Sequence, residues 1–204
     1  MTGVAAHNPS GHVDGGQRDT ARRNHIPGES SMWFFVIGDL IIFGAYFVAY
    51  VYYRGRQPEL FLESQARLNL DIGAANTIVL LTSSLFVALG TAAARSGKTG
   101  DGARLFGMAL ALGATFPVLK LFEYVPEIVA GVTPGTNLFF MYYFVMTGLH
   151  LCHVMLGLVI LSFVIRNLRG PAAPKISFVE TAATYWHMVD VLWLVLFALL
   201  YVMR

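Results

Sequence analysis

Asp39, Lys120, Glu123, His150, His153, His187 and Asp190 lie inside long runs of apolar residues. Six of them form pairs three residues apart: Lys120 with Glu123, His150 with His153, and His187 with Asp190. A spacing of three places both members on one helical face. Such pairs could bind a metal, carry a proton or tie helices together. A di-metal carboxylate bundle takes its ligands from Glu-x-x-His pairs, and this chain has no Glu-x-x-His. Haem needs an axial ligand, usually histidine, in a pocket that admits the macrocycle. His150, His153 and His187 all have bulky neighbours. Interhelical hydrogen bonding is the better reading for them, with no metal ligand expected. Asp39 leaves two readings open, a proton-accessible site or a buried carboxyl that joins two helices. It lies eight residues into its apolar run, roughly 12 Å below the surface by helical rise. His187 is seven residues into the last run from the same side, so the two share a depth. Lys120 and Glu123 read as a mutual ion pair or a headgroup contact near the outer end of their helix, with Lys120 free to snorkel outward. No nucleophile, general base or other catalytic residue stands out.

A charged side chain in mid-bilayer costs at least about 2.5 kcal/mol on insertion scales, so these residues need partner helices or water. The helices that must position them are legible as apolar runs. A span needs about 20 apolar residues to cross a core of about 30 Å. Five runs meet that length: 31–53, 71–94, 102–126, 136–165 and 180–203. Trp33 opens the first and Tyr50, Tyr52 and Tyr53 close it, as interfacial belts do. In the second, Asn76 and Thr77 are followed by Thr82, Ser83 and Ser84, small polar residues that suit close helix packing. The last run is expected to face inward through Tyr185, Trp186, His187 and Asp190 and to show lipid its Leu, Val and Phe. His150 or His153 of the antiparallel neighbour is the expected partner of Asp190. Between the first two runs, PELFLESQARLNL reads as a partial interfacial helix.

Composition agrees. The chain has 204 residues, 56% of them hydrophobic and 13% charged, against about a quarter charged in soluble domains. A net charge of +2 gives no reason to expect nucleic acid. The single cysteine, Cys152, lies in an apolar run and offers no disulfide framework. Residues 1–30, rich in Gly, Ser, Asn and His, read as a disordered cytoplasmic tail without a cleavable signal, leaving 31–204 as the membrane domain. Basic residues set the orientation. Nine (Arg18, Arg22, Arg23, Arg95, Lys98, Arg104, Arg166, Arg169, Lys175) fall on the N-terminal side and four (Arg54, Arg56, Arg67, Arg204) on the other. The N-terminus is expected in the cytoplasm and the C-terminus outside. The expected fold is an all-α bundle of five transmembrane helices.

The motifs GDLIIFGAYFVAY, NTIVLLTSS, KLFEY, TGLHLCHVMLGL and YWHMVDVLWLVLFALLY occur in this order. Over about residues 30–203 the chain resembles subunit III of haem-copper respiratory oxidases, in its shorter five-helix form. LNLDIGAANTIVLLTSS, the lysine of KLFEY and MYYFVMTGLHLCHV are most similar to the NorE-like branch associated with nitric oxide reductase. The resemblance implies an accessory subunit in the plasma membrane, with no haem or copper of its own. It implies partnership with catalytic subunit I and subunit II, bound phospholipid in a cleft between helices, and support of proton uptake. The lipid is expected between the first two spans and the other three. The resemblance also implies that Asp39 stands where relatives carry a membrane-buried carboxylate, often Glu, and that Glu123, His150, His153, Glu180, His187 and Asp190 occupy family positions. Two rival functions follow. One is an accessory role in nitric oxide reduction; the other is a small transporter or proton channel. A transporter of the broken-helix type needs paired Pro or Gly interruptions, and Gly113 and Pro117 have no matching pair elsewhere.

Overall fold

The computed structural model describes residues 30–203; the expected tail precedes them and lies outside the described residues. Six α-helices follow in order: α1 Ser30–Arg56, α2 Pro58–Gln65, α3 Leu70–Arg95, α4 Thr99–Val129, α5 Leu138–Arg169 and α6 Ile176–Phe197. A π-helical turn, Ala198–Val202, completes the last span. All but α2 are long and apolar enough to cross a membrane, so the protein is a multi-pass all-α membrane bundle. Most helices overrun the apolar segments, because polar end residues continue the hydrogen-bond ladder into the interface.

The helix ends have local causes. Pro58 and Glu59 open α2, where a missing N–H and an acidic charge both suit the first turn. Asn69 accepts from the Asp71 and Ile72 amides to cap α3, and Asn137 accepts from Phe140 to cap α5. Gly97 ends the α3 side of its turn at φ 79°, a left-handed conformation that glycine adopts without strain. α5 stops at Gly170 and Pro171, and α6 starts just past Pro174.

α3 and α4 form the most intimate hairpin. A side chain on Gly102 would come within 3.2 Å of the Gly90 carbonyl. α6 sits centrally against α3 and α5, with α1 touching it at the edge. Its burial therefore runs round most of its circumference. Val189, Leu192, Leu196 and Leu200 are core residues, while Val191, Val195 and Val202 remain on the outer surface. The expectation that its Leu and Val face lipid holds only for that narrow stripe. Trp186 is held between α4 and α5: a Cβ on Gly113 or Gly157 would come within 2.7 and 2.8 Å of its ring. Gly113 is thus a seat for an aromatic ring. α4 runs unbroken through it and Pro117, which removes the discontinuity that a transporter reading would use.

The first two spans do not form a unit of their own. α1 packs on α5, α6 and α2, whereas α3 is bound to α4 and α6.

Candidate functional site

The intramembrane polar residues separate into three clusters on different faces of the bundle. α1 and α5 carry the first. Asp39 Oδ2 lies 3.0 Å from His153 Nε2, with the two side chains 12% and 18% exposed. His153 Nδ1 is 2.8 Å from the Leu149 carbonyl, four residues back on its own helix. A carbonyl can only accept, so Nδ1 carries a hydrogen. In a neutral ring Nε2 is then a lone pair facing a carboxyl oxygen. Two acceptors at that distance repel; the contact is attractive only when one proton lies between them. Oδ2 lacks a well-angled partner on the ring N–H line, yet a carboxyl O–H can rotate toward Nε2, so the short distance carries the argument. The Asp39–His153 contact joins α1 to α5. Phe43 meets the imidazole edge-on at 5.7 Å between centroids, and Tyr185 of α6 donates to the His153 carbonyl at 3.1 Å.

α3 and α6 carry the second cluster. His187 Nδ1 is 2.6 Å from Ser84 Oγ, and the same hydroxyl acts on the Asp190 carboxyl. Toward the membrane surface Arg95 Nε donates to Glu180 Oε1 at 2.7 Å. Between these two points runs a groove lined by Ala88, Thr91, Ala92, Ala183 and Thr184. The expectation that His150 or His153 partners Asp190 is corrected here. Three residues advance 300°, so His150 and His153 diverge by about 60° around α5. His153 turns to α1. His150 is fully buried, edge-on to Phe116 and stacked on Trp193 at 5.3 Å, and neither ring nitrogen has a hydrogen-bond partner among the described residues. Asp190 instead looks to α3.

The third cluster lies between α4, α5 and the π-helical turn. Lys120 Nζ is 2.8 Å from Glu123 Oε2, 2.7 Å from the Tyr201 hydroxyl and 3.3 Å from the Tyr143 hydroxyl. Tyr201 also donates to Glu123 Oε1. The ammonium lies 4.9–5.4 Å from the ring centroids of Tyr124, Tyr143, Trp193 and Tyr201. Lys120 is 0% exposed, so it points inward, not toward headgroups as snorkelling would require. The mutual ion pair with Glu123 is as the spacing predicts.

Thr77 accepts the Trp193 indole N–H at 3.0 Å and donates to the Gly73 carbonyl. That joins α3 to α6 as a packing residue should. Asn76 is fully buried, but neither amide atom has a hydrogen-bond partner among the described residues. Ser83, also in the polar run of α3, bridges to the Ala109 carbonyl of α4 at 2.8 Å. Among the described residues no three His, Cys, Asp or Glu side chains converge as metal ligands.

Sequence reasoning missed Tyr143 and Tyr201 and left the partners of Ser84 and Arg95 unassigned. Arg95 was legible as a basic helix end, but its acid lies 85 residues away. Tyr201 carried no signal, because only the π-helical turn, closed by Met203 N–H to the Ala198 carbonyl, aims it at Lys120.

The sequence profile of the family "Cytochrome c oxidase subunit III" matches residues 24–204. Cytochrome c oxidase subunit 3 of Synechocystis is 35% identical over 172 residues, covering 83% of this chain and 72% of that protein. The Thermostichus vulcanus subunit 3 is 33% identical, covering 83% and 84%. Cytochrome bo(3) ubiquinol oxidase subunit 3 of Pseudomonas aeruginosa is 24% identical over 97% of this chain and 95% of its own length. A heme-copper oxidase subunit I+III of Aeropyrum pernix is 29% identical over 84% of this chain, which matches 22% of that longer protein. The profile spans nearly the whole chain, so the chain belongs to the cytochrome c oxidase subunit III family.

Proposed function

We propose that this chain serves as the non-redox subunit III of a haem-copper oxidase in the plasma membrane, packed against the catalytic subunit and holding an exchangeable proton beside it. The family match and the relatives' oxidase names support the oxidase assignment over the nitric oxide reductase one. The fused I+III relative supports association with a catalytic subunit, since one chain there carries both. In this reading the redox centres lie in the partner subunits, and phospholipid fills the outer grooves of the bundle. Cytochrome c and quinol are both represented among the relatives' names as electron donors.

The observation that carries the proton role is the Asp39–His153 contact. Its geometry needs one proton, and both groups lie on an outer flank of the bundle where α1 packs lightly. The test is Asp39→Asn in the assembled oxidase, scored for assembly and for turnover against pH. The change removes a proton site with little change in volume. Assembly should survive while turnover at alkaline pH falls or inactivation during turnover quickens. A variant that matches the parent at every pH would refute the proton role.

A further inference from the structure

We propose that the groove between α3 and α6 is a second proton inlet, which starts at Arg95 and Glu180 and loads Asp190. It is separate from the Asp39–His153 site, and neither depends on the other. On α3 the groove is lined at positions 88, 91, 92 and 95, and on α6 at 180, 183, 184 and 187. Each set follows the i, i+3, i+4, i+7 pattern of a single helical face. The alanines leave it hollow, at about 250 Å³. Thr91 and Thr184 give their hydroxyl hydrogens to the Val87 and Glu180 carbonyls. Their lone pairs are then acceptors for water, with Arg95 as donor and Glu180 as acceptor at the mouth. A site that is hollow and has several polar partners meets the requirements for holding water. An anionic headgroup fits less well, because Glu180 already occupies the Arg95 guanidinium and would repel it.

The inner end is built from groups that both give and take protons. Seven residues separate Glu180 from His187, roughly 10 Å of helix, and Asp190 lies roughly 15 Å in. His187 lines the groove and its Nδ1 is taken by Ser84, so Nε2 is the nitrogen left to meet water. A proton from groove water binds Nε2. Nδ1 then passes its hydrogen to Ser84 Oγ while Ser84 passes its own hydroxyl hydrogen to the Asp190 carboxylate. One proton enters, one arrives on Asp190, and the ring is left neutral as its other tautomer. Rotation of the serine hydroxyl and return of the proton reset the line. Beyond Asp190 the helix presents Leu192, Trp193 and Leu196, all buried. The line therefore ends at Asp190 and does not cross the bilayer. The titratable groups on the other elements packed near α6 stand apart from the line. They are Asp39 and Tyr50 on α1, His150 and His153 on α5, which Trp193 and Tyr185 meet from α6, and Lys120 with Glu123 on α4, which Tyr201 meets.

The test is time-resolved infrared spectroscopy of the full chain in phospholipid nanodiscs after a pH jump. The Asp190 carboxyl band is assigned by its loss in Asp190→Asn. In the parent that band should follow the jump. In Ser84→Ala and in His187→Gln it should appear roughly 10²-fold more slowly, the scale of a positioned proton donor or acceptor. Ser84→Thr, which keeps a hydroxyl, should restore the rate; a role confined to packing would give no such rescue. Asp39→Asn should leave both band and rate unchanged, which keeps this outcome distinct from the alkaline turnover test. A carboxyl band that never responds to pH, or one equally fast in Ser84→Ala and His187→Gln, overturns the inlet.

Discussion

Replacing Lys120 with methionine should destabilise the bundle far more than removing both members of its ion pair. Lys120 and Glu123 are 0% and 4% exposed at their side chains and 2.8 Å apart. Deleting one partner of such a buried pair leaves an uncompensated charge and costs about 3–5 kcal/mol, whereas replacing both with apolar residues of similar volume is often neutral or stabilising. In Lys120→Met the Glu123 carboxylate keeps the Tyr201 hydroxyl on Oε1 but loses its cation. In Lys120→Met/Glu123→Leu no charge remains, and the four surrounding rings offer methionine an apolar and aromatic wall. Tyr201→Phe removes a hydroxyl that meets both charged groups but leaves them paired with each other, at about 1.5–3 kcal/mol. The measurement is reversible unfolding by denaturing detergent in mixed micelles, followed by tryptophan fluorescence. Trp193 lies beside the cluster and reports on it. The expected order is double variant near the parent, Tyr201→Phe intermediate, Lys120→Met lowest. A double variant as unstable as Lys120→Met would refute the reasoning, because the cost would then lie in lost packing and not in a stranded charge.

Gly113→Ala places a methyl within 2.7 Å of a Trp186 ring that Gly157 blocks from the far side, and should lower stability by about 1–3 kcal/mol. Gly148→Ala meets nothing within 4 Å and should raise it by up to about 1 kcal/mol through helix propensity, with both read in the same unfolding assay. A reporter fused after Arg204 should be active only outside the cytoplasm, as the distribution of basic residues requires; activity inside would reverse the orientation. The purified chain should show no stoichiometric Soret band, and one that co-purifies with it would contradict the assignment of the redox centres to partner subunits.

The spans were legible because the bilayer imposes one length and one composition on every helix that crosses it. The three i, i+3 pairs were legible because helical geometry alone places such residues on one face. Which helix each face meets was not legible. Spacing fixes an angle around one axis and says nothing about the order of helices in the bundle. His150 and His153 illustrate this: the same 60° offset sends one into the Phe116–Trp193 core and the other to Asp39. Lys120 illustrates a second limit. Its snorkelling reading assumed a lipid-facing position near the helix end, but α4 is long enough that Lys120 falls inside the bundle, with eight residues between it and Val129.

The same reasoning explains why the two acidic groups best placed to exchange protons are not interchangeable. Asp39 lies on α1, the most lightly held span, so its exchange with bulk depends on how α1 packs against α5 or against a partner subunit. Asp190 lies on the most buried helix, and its exchange depends on Ser84 and His187, whatever α1 does. A perturbation that loosens α1, such as Tyr50→Phe, which removes the bond from the Tyr50 hydroxyl to the Leu199 carbonyl, should therefore alter the protonation rate of Asp39 and leave that of Asp190 unchanged. Equal changes at both carboxyls would mean that the bundle opens as one body and that neither site has a route of its own.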